Sequence, residues 1–393
     1  MQKRSSGLSL LVALAFIVVA CGTAATPSPT TTAAPTPEPG ATDTPTEPPA
    51  TSDLKIGVVT DVGTVNDKNF NEFTYVGAKN GAAEIGAPEP PVVVPTSDAD
   101  YAPLIQAYID QAFDVVVATG FNLEGAAAAA AKLNPDIWFI GVDHAPCINA
   151  AGDVDLTFSD CSGDIATLLP KYIALNYAED QAGYLAGMVA ASASKSGIIG
   201  AIGGVSLCGP CIRYMQGYVL GAKSVNPNIT VKVSWVSDSD FRLGFADQAA
   251  GKTFGAQFIQ QNAGIDVLFQ VAGLTGNGVI DAACEGGINA IGVDVDQYES
   301  YPASQACLLT SAEKHLAVSV AESIKAINAG TAAGGRARFD AANDGIGVSA
   351  FRDAASKLPA DMQSQVDAAL AAMAAGTLTT CPTDCGTNSV IGD

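Results

Sequence analysis

Histidine is almost missing from this chain, which has 2 among 393 residues, alongside 2 tryptophans and 5 methionines. With so few imidazoles and no paired C-x-x-C motifs, no metal site is expected. Basic residues are scarce too: 19 Lys and Arg stand against 40 Asp and Glu, a net charge of −21. Such a field repels nucleic acid and anionic membrane surfaces, and it disfavours polyanionic ligands unless a local cationic pocket overrides it. The apolar run from Gly7 to Ala20, behind Lys3 and Arg4, is too short and wrongly flanked for a membrane span and reads as an export signal, residues 1–20.

That run ends in Val18-Val19-Ala20-Cys21, which looks like a bacterial lipobox. Cys21 is then the expected lipidation site and mature N-terminus, held at the extracytoplasmic face of a membrane by acyl chains. Residues 21–52 are almost all Thr, Pro, Ala, Ser, Gly and acids, too polar to fold and kept extended by proline, so they read as a disordered tether. The chain as a whole is 48% hydrophobic, and its length beyond the tether is enough for one large core or two medium lobes.

Of nine cysteines, eight remain once Cys21 is set aside, an even set that in an exported chain argues for disulfides. Nearest-neighbour pairing joins Cys147–Cys161, Cys208–Cys211, Cys284–Cys307 and Cys381–Cys385. Spacing alone does not choose this over the many other connectivities. The stretch Cys208-Gly209-Pro210-Cys211 is spelled like a thioredoxin redox centre, which a helix N-terminus would activate.

From residue 54 short β-branched runs alternate with Ala-rich segments. Runs at 54–61, 113–120, 136–143, 197–204, 229–236, 266–273, 288–296 and 344–351 predict strands, most of them buried in parallel sheets. Helices are expected at 70–86, 102–112, 122–134, 179–195, 212–225, 246–262, 276–286, 312–329 and 359–375. The repetition predicts an α/β fold of two parallel-sheet lobes joined by a three-strand hinge. The boundaries place 54–176 with 298–340 in one lobe and 177–297 with 341–393 in the other.

In open parallel sheets ligands sit where loops converge at the carboxyl ends of strands. Asp61, Asp143, Gly273 and Asp294 stand at such ends. Polar loops with aromatics recur at 60–72, 236–252, 269–279, 292–297 and 308–314. In the first, Asp67 and Phe70 taken alone also allow a plain reading as a helix cap and a core ring, against which the recurrence of the pattern argues.

These segments carry a resemblance. TD-x-G-x-x-x-D-K-x-F-N (60–71), ATGF (118–121), EDQAGYLAG…SKSGIIGAIGG (179–204), F-x-D-x-x-x-GK (245–252), FQVAG-x-TG-x-GV (269–279), IGVDVDQ (291–297) and LLTSAEK (308–314) stand in the same order as in the BMP/PnrA-like substrate-binding lipoproteins of ABC transporters. The resemblance implies the type I periplasmic-binding fold, a purine nucleoside as ligand, an ABC permease as partner, no cofactor and a monomeric state. It implies that Phe70 and Phe245 sandwich the base, and that Asp294 accepts from the ribose with Lys314 as its cationic neighbour. Gly273 would let backbone approach the ligand, and Asp61, Asp67 and Asp143 would be further polar contacts. Where the family has Asp-Asp-Lys, this chain has Asn66-Asp67-Lys68, a departure expected to bear on selectivity.

Within that framework Cys208–Cys211 is a local structural disulfide, since no thioredoxin-like tryptophan precedes it, and Cys381–Cys385 staples the tail. An enzyme is not expected. The glycines of 273–278 do not spell a dinucleotide fingerprint, and His144 reads as part of the loop near Cys147. The alternatives are a sugar- or autoinducer-binding protein of the same fold and a nucleoside-sensing receptor.

Overall fold

The computed structural model describes residues 51–393. The export signal, Cys21 and the tether as far as residue 50 lie outside the described residues. Among the described residues no helix is long and apolar enough to cross a membrane.

The strands are, in chain order, β1 (Ile56–Val59), β2 (Val92–Val93), β3 (Val115–Thr119), β4 (Trp138–Val142), β5 (Tyr172–Tyr177), β6 (Ile198–Val205), β7 (Thr230–Ser237), β8 (Val267–Val271), β9 (Asn289–Asp294), β10 (Leu308–Lys314), β11 (Gly335–Phe339) and β12 (Ile346–Val348). They build two sheets of the same design, ordered β11-β5-β4-β3-β1-β2 and β12-β10-β9-β8-β6-β7. Neighbours run parallel except β12, which is antiparallel to β10. Every residue of β1, β3 and β8 is buried, because helices cover both faces of each sheet. This is why these strands read as unbroken apolar runs rather than as alternating patterns.

The chain crosses between lobes three times: at Ala178 after β5, at His315 after β10, and over Asp340–Gly345 between β11 and β12. The first two crossings are bonded to the chain of the third, Ala178 N–H to the Phe339 carbonyl at 2.9 Å and His315 N–H to the Gly345 carbonyl at 3.1 Å. The second crossing corrects the expected boundary. Residues 308–314, read from the sequence as a polar loop and placed in the first lobe, form an inner strand of the second sheet, between β12 and β9. Only from the helix Leu316–Asn328 does the chain return to the first lobe, packing Ala317 and Ala321 on Gly77 and Gly81 of the helix Phe70–Glu84. The strand hides from the eye because its polar groups are satisfied inside the sheet: Thr310 donates to the Ser349 carbonyl at 2.6 Å, and the Ser311 hydroxyl accepts from Gln297 N–H at 3.1 Å. Strands β2, β5 and β11 are likewise absent from the sequence reading, and the expected loop 273–278 is the start of the helix Gly273–Glu285.

Four disulfides join the nearest neighbours, Cys147–Cys161, Cys208–Cys211, Cys284–Cys307 and Cys381–Cys385. In the second lobe the helices Glu179–Ala193 and Gly209–Val225 meet backbone to backbone. A Cβ on Gly183 or Gly187 would overlap the carbonyl oxygens of Tyr214 and Tyr218, and one on Gly217 or Gly221 would overlap those of Asp180 and Tyr184. Neither side has a flexible side chain that can yield, so added volume must push the helices apart. Gly221→Ala is expected to lower stability by about 1–3 kcal/mol, read as a shifted midpoint in urea denaturation with the slope unchanged.

Candidate functional site

A cleft whose open space, solvent at its mouth included, is about 580 Å³ lies between the facing carboxyl ends of the two sheets. Asp61, Gly120 and Asp143, which come after β1, β3 and β4, line it from the first lobe. Gly273 after β8, Asp294 ending β9 and Lys314 ending β10 line it from the second. All eight binding positions expected from the sequence, Asp61, Asp67, Phe70, Asp143, Phe245, Gly273, Asp294 and Lys314, border this one cavity.

Lys314 is its electrostatic centre. The ammonium reaches across the seam to Asp143 at 2.6 Å and stands 3.4 Å from Asp294 and 3.8 Å from Glu179. It also lies over the Phe70 ring, 4.8 Å from the centroid. Glu179 is paired in turn with Arg213 at 2.7 Å. Burial pushes the Asp143 and Asp294 carboxyls up, while Lys314 pulls both down. Burial would lower Lys314, but Asp143, Asp294 and Glu179 outweigh it and hold the ammonium above its ordinary range.

Asp143 and Asp294 occupy the same place in the two sheets, and both adopt left-handed backbone, φ 62° and 65°. Asp tolerates that region better than most residues, and such strain collects at functional sites. One Asp143 oxygen is buried with no protein partner.

The other expected residues differ in what they do. Asp61 accepts from the Tyr101 hydroxyl and from Val62 N–H, each at 2.7 Å, and burial lifts it to about 6. Asp67 borders the cavity, but its carboxylate is taken up by the N–H groups of Asn69, Asn71 and Glu72. The capping reading therefore describes its side chain. Burial raises it to about 7 against those three donors. Asn66 is exposed and does not line the cavity, so the departure at that position has no direct route to a ligand. Gly273, at φ 52°, lies against the backbone of Phe245, where a Cβ would stand 3.2 Å from that residue's carbonyl oxygen. His144 is buried, bonded to Tyr172 and the Gly120 carbonyl, and burial drops it to about 3, so it is a neutral structural imidazole.

The sequence reading missed several lining residues. Tyr214, one turn into the Gly209–Val225 helix, donates to Asp294 at 3.2 Å. Phe121 and the Cys208-Gly209-Pro210-Cys211 turn also contribute to the wall. Glu179, at the start of its helix, faces Lys314 and Arg213. A chain of buried amides, Gln270 to Gln297 to Asn277, ends on the Asp67 carbonyl at 2.9 Å and so ties the second lobe to the first. Ser300 adds a bond to the Lys68 carbonyl at 2.8 Å.

A family model described as ABC transporter substrate-binding protein PnrA-like matches residues 54–372. The chain belongs to this family, Bmp. A relative from Lactococcus lactis, named ABC transporter nucleoside-binding protein BmpA, is 31% identical over 59% of this chain, and the match spans 59% of that protein. A Listeria monocytogenes relative, the CD4+ T-cell-stimulating antigen, is 26% identical over 91% of this chain and 93% of its own length. Among solved structures, an ABC transporter solute-binding protein from Aeropyrum pernix superposes with a TM-score of 0.68 at 22% identity, covering 84% of this chain and 94% of that one. The fold is the type I periplasmic-binding fold, two parallel-sheet lobes on a three-strand hinge.

Two measurements test the electrostatics. Lys314→Met leaves buried carboxylates uncompensated, so a loss of roughly 3–5 kcal/mol is expected near neutral pH. That deficit should shrink in acid as Asp143 and Asp294 take up protons, which paired denaturation curves will show. Asp61 sits at about 6 in the fold against 3.8 in the open chain, so its contribution is fully present below the lower value and is lost as pH rises through the upper one. Asp61→Asn should accordingly flatten the fall of unfolding free energy between about pH 4 and 6.

Proposed function

We propose that this chain is the extracytoplasmic, lipid-anchored binding component of an ABC importer, taking up purine nucleosides between its lobes and handing them to a permease. The observation that carries this reading is the shared cavity: two benzyl side chains from opposite lobes, Phe70 and Phe245, border the same space as a carboxylate–ammonium pair, Asp294 and Lys314. Flat aromatic walls suit a heterocycle, since stacking contributes about 1–3 kcal/mol per base and tolerates base identity. A carboxylate with two acceptor oxygens suits a vicinal diol, and the free Asp143 oxygen offers a further acceptor. The name of the Lactococcus relative supports the same ligand class.

Charge supports a neutral cargo. Lys314 is already shared by three carboxylates, so a phosphate in the cavity would meet more negative than positive groups. Closure comes about by population shift, because a ligand touching both lobes favours the state in which they meet. The protein needs no chemistry of its own for this task, and we read it as a non-enzymatic monomer. Anchoring through Cys21 and an extracytoplasmic setting accord with the leader and with the four disulfides.

Isothermal titration with adenosine, guanosine, inosine, ribose and AMP tests the assignment. Nucleosides are expected to bind and AMP to bind poorly, while Phe70→Ala and Phe245→Ala should each weaken nucleoside binding by about 1–3 kcal/mol. Binding of ribose without any nucleoside would reject the reading in favour of a sugar carrier.

A further inference from the structure

Phe241 opens the short helix Phe241–Phe245, whose last residue is the cavity-lining Phe245. This helix is fixed to the second lobe at both ends. Asp240 caps it by accepting from Leu243 N–H at 2.9 Å, and Thr275 donates to the Leu243 carbonyl at 3.0 Å while accepting from Asp247 N–H at 2.8 Å. Gly244 lies so close to β6 that a Cβ would press on Val205 and on the Gly204 carbonyl. Phe241 therefore has little freedom to move relative to Phe245, and the two rings lie nearly parallel, 6.5 Å apart and inclined at 17°.

The Phe241 ring nevertheless packs on the other lobe. Its centroid is 5.7 Å from that of Phe121, and it joins the first-lobe cluster that includes Val62, Tyr101 and Leu123. Val62 and Phe121 border the inner cavity. Val62 and Phe241 also border a second, outer and more open chamber, with Ser97 and Asp98 on one lobe and Asp240 and Arg242 on the other. Val62, Phe121 and Phe241 thus form an apolar partition between the two spaces.

We propose that Phe241 determines specificity by closing this partition at the base end of the cavity. The inference rests on the nucleoside reading: it takes the sugar to lie at Asp294 and Lys314 and assigns the far edge of the base to the part of the lining made by Asp61, Val62 and Phe121. A base with a bulky substituent on that edge must displace the Phe241 ring to reach the outer chamber. Because one short helix carries both Phe245 and Phe241, a ligand that displaces one ring also disturbs the other, and larger bases are rejected.

The test is calorimetry on the whole protein with adenosine and N6-benzyladenosine. Wild type should prefer adenosine by more than about tenfold, and Phe241→Ala should narrow that ratio by about tenfold while weakening adenosine itself less. Phe241→Leu, which keeps an apolar plug, should fold normally and hold most of the discrimination; Phe121→Ala, from the other lobe, should lose it as Phe241→Ala does. An unchanged ratio in Phe241→Ala and Phe121→Ala, or equal binding of both ligands by wild type, overturns the partition and leaves the nucleoside reading standing. Failure of wild type to bind adenosine overturns both.

Discussion

A buried ammonium with too many carboxylates is the constraint around which this protein is arranged. Lys314 comes from the second lobe, yet its shortest contact is with Asp143 of the first. An ion pair is stable out of water only when geometry and further hydrogen bonds offset desolvation. Here those conditions are met by residues from several elements at once: Asp143, Asp294 and Glu179 around the cation, Arg213 behind Glu179, and Tyr214 donating to Asp294. Separating the lobes returns Asp143 to water without its partner. Contact between the lobes and neutralisation of Asp143 therefore go together.

The repeated sheet order explains how a chain can place such groups opposite each other. Each lobe offers the ends of its parallel strands, where helices begin and the backbone turns sharply. Asp143 and Asp294 stand at equivalent ends with the same left-handed backbone, so each lobe supplies one strained acid to the seam. The amide chain from Gln270 through Gln297 and Asn277 to the Asp67 carbonyl performs the complementary task without charge. The Asp67 carboxylate, turned inward to hold three N–H groups, keeps that carbonyl where Asn277 finds it.

Much of this was legible in the sequence because buried parallel strands announce themselves as uninterrupted apolar runs, and because polar residues directly after such runs lie at sheet ends. Asp61, Asp143 and Asp294 were found in that way, and Phe70 and Phe245 through the family pattern around them. What escaped did so for physical reasons. The strand β10 reads as polar because the groups satisfying Thr310 and Ser311, Ser349 and Gln297, come from other parts of the chain. Tyr214 sits in a helix whose pattern reports packing, and nothing local shows that its first turn faces the cleft. Asp67 illustrates the converse: an acid in a motif suggests ligand contact, while the N–H groups nearby decide how its oxygens are used.

The three crossings at Ala178, His315 and Asp340–Gly345, the first two bonded to the chain of the third, carry a mechanical consequence. A single covalent tie would let one half swivel or slide over the other, whereas three side by side leave a single easy rotation, like a door on several pins. Any opening of the seam is then confined to the rim opposite those pins, which the connectivity of the chain sets before any side chain is chosen.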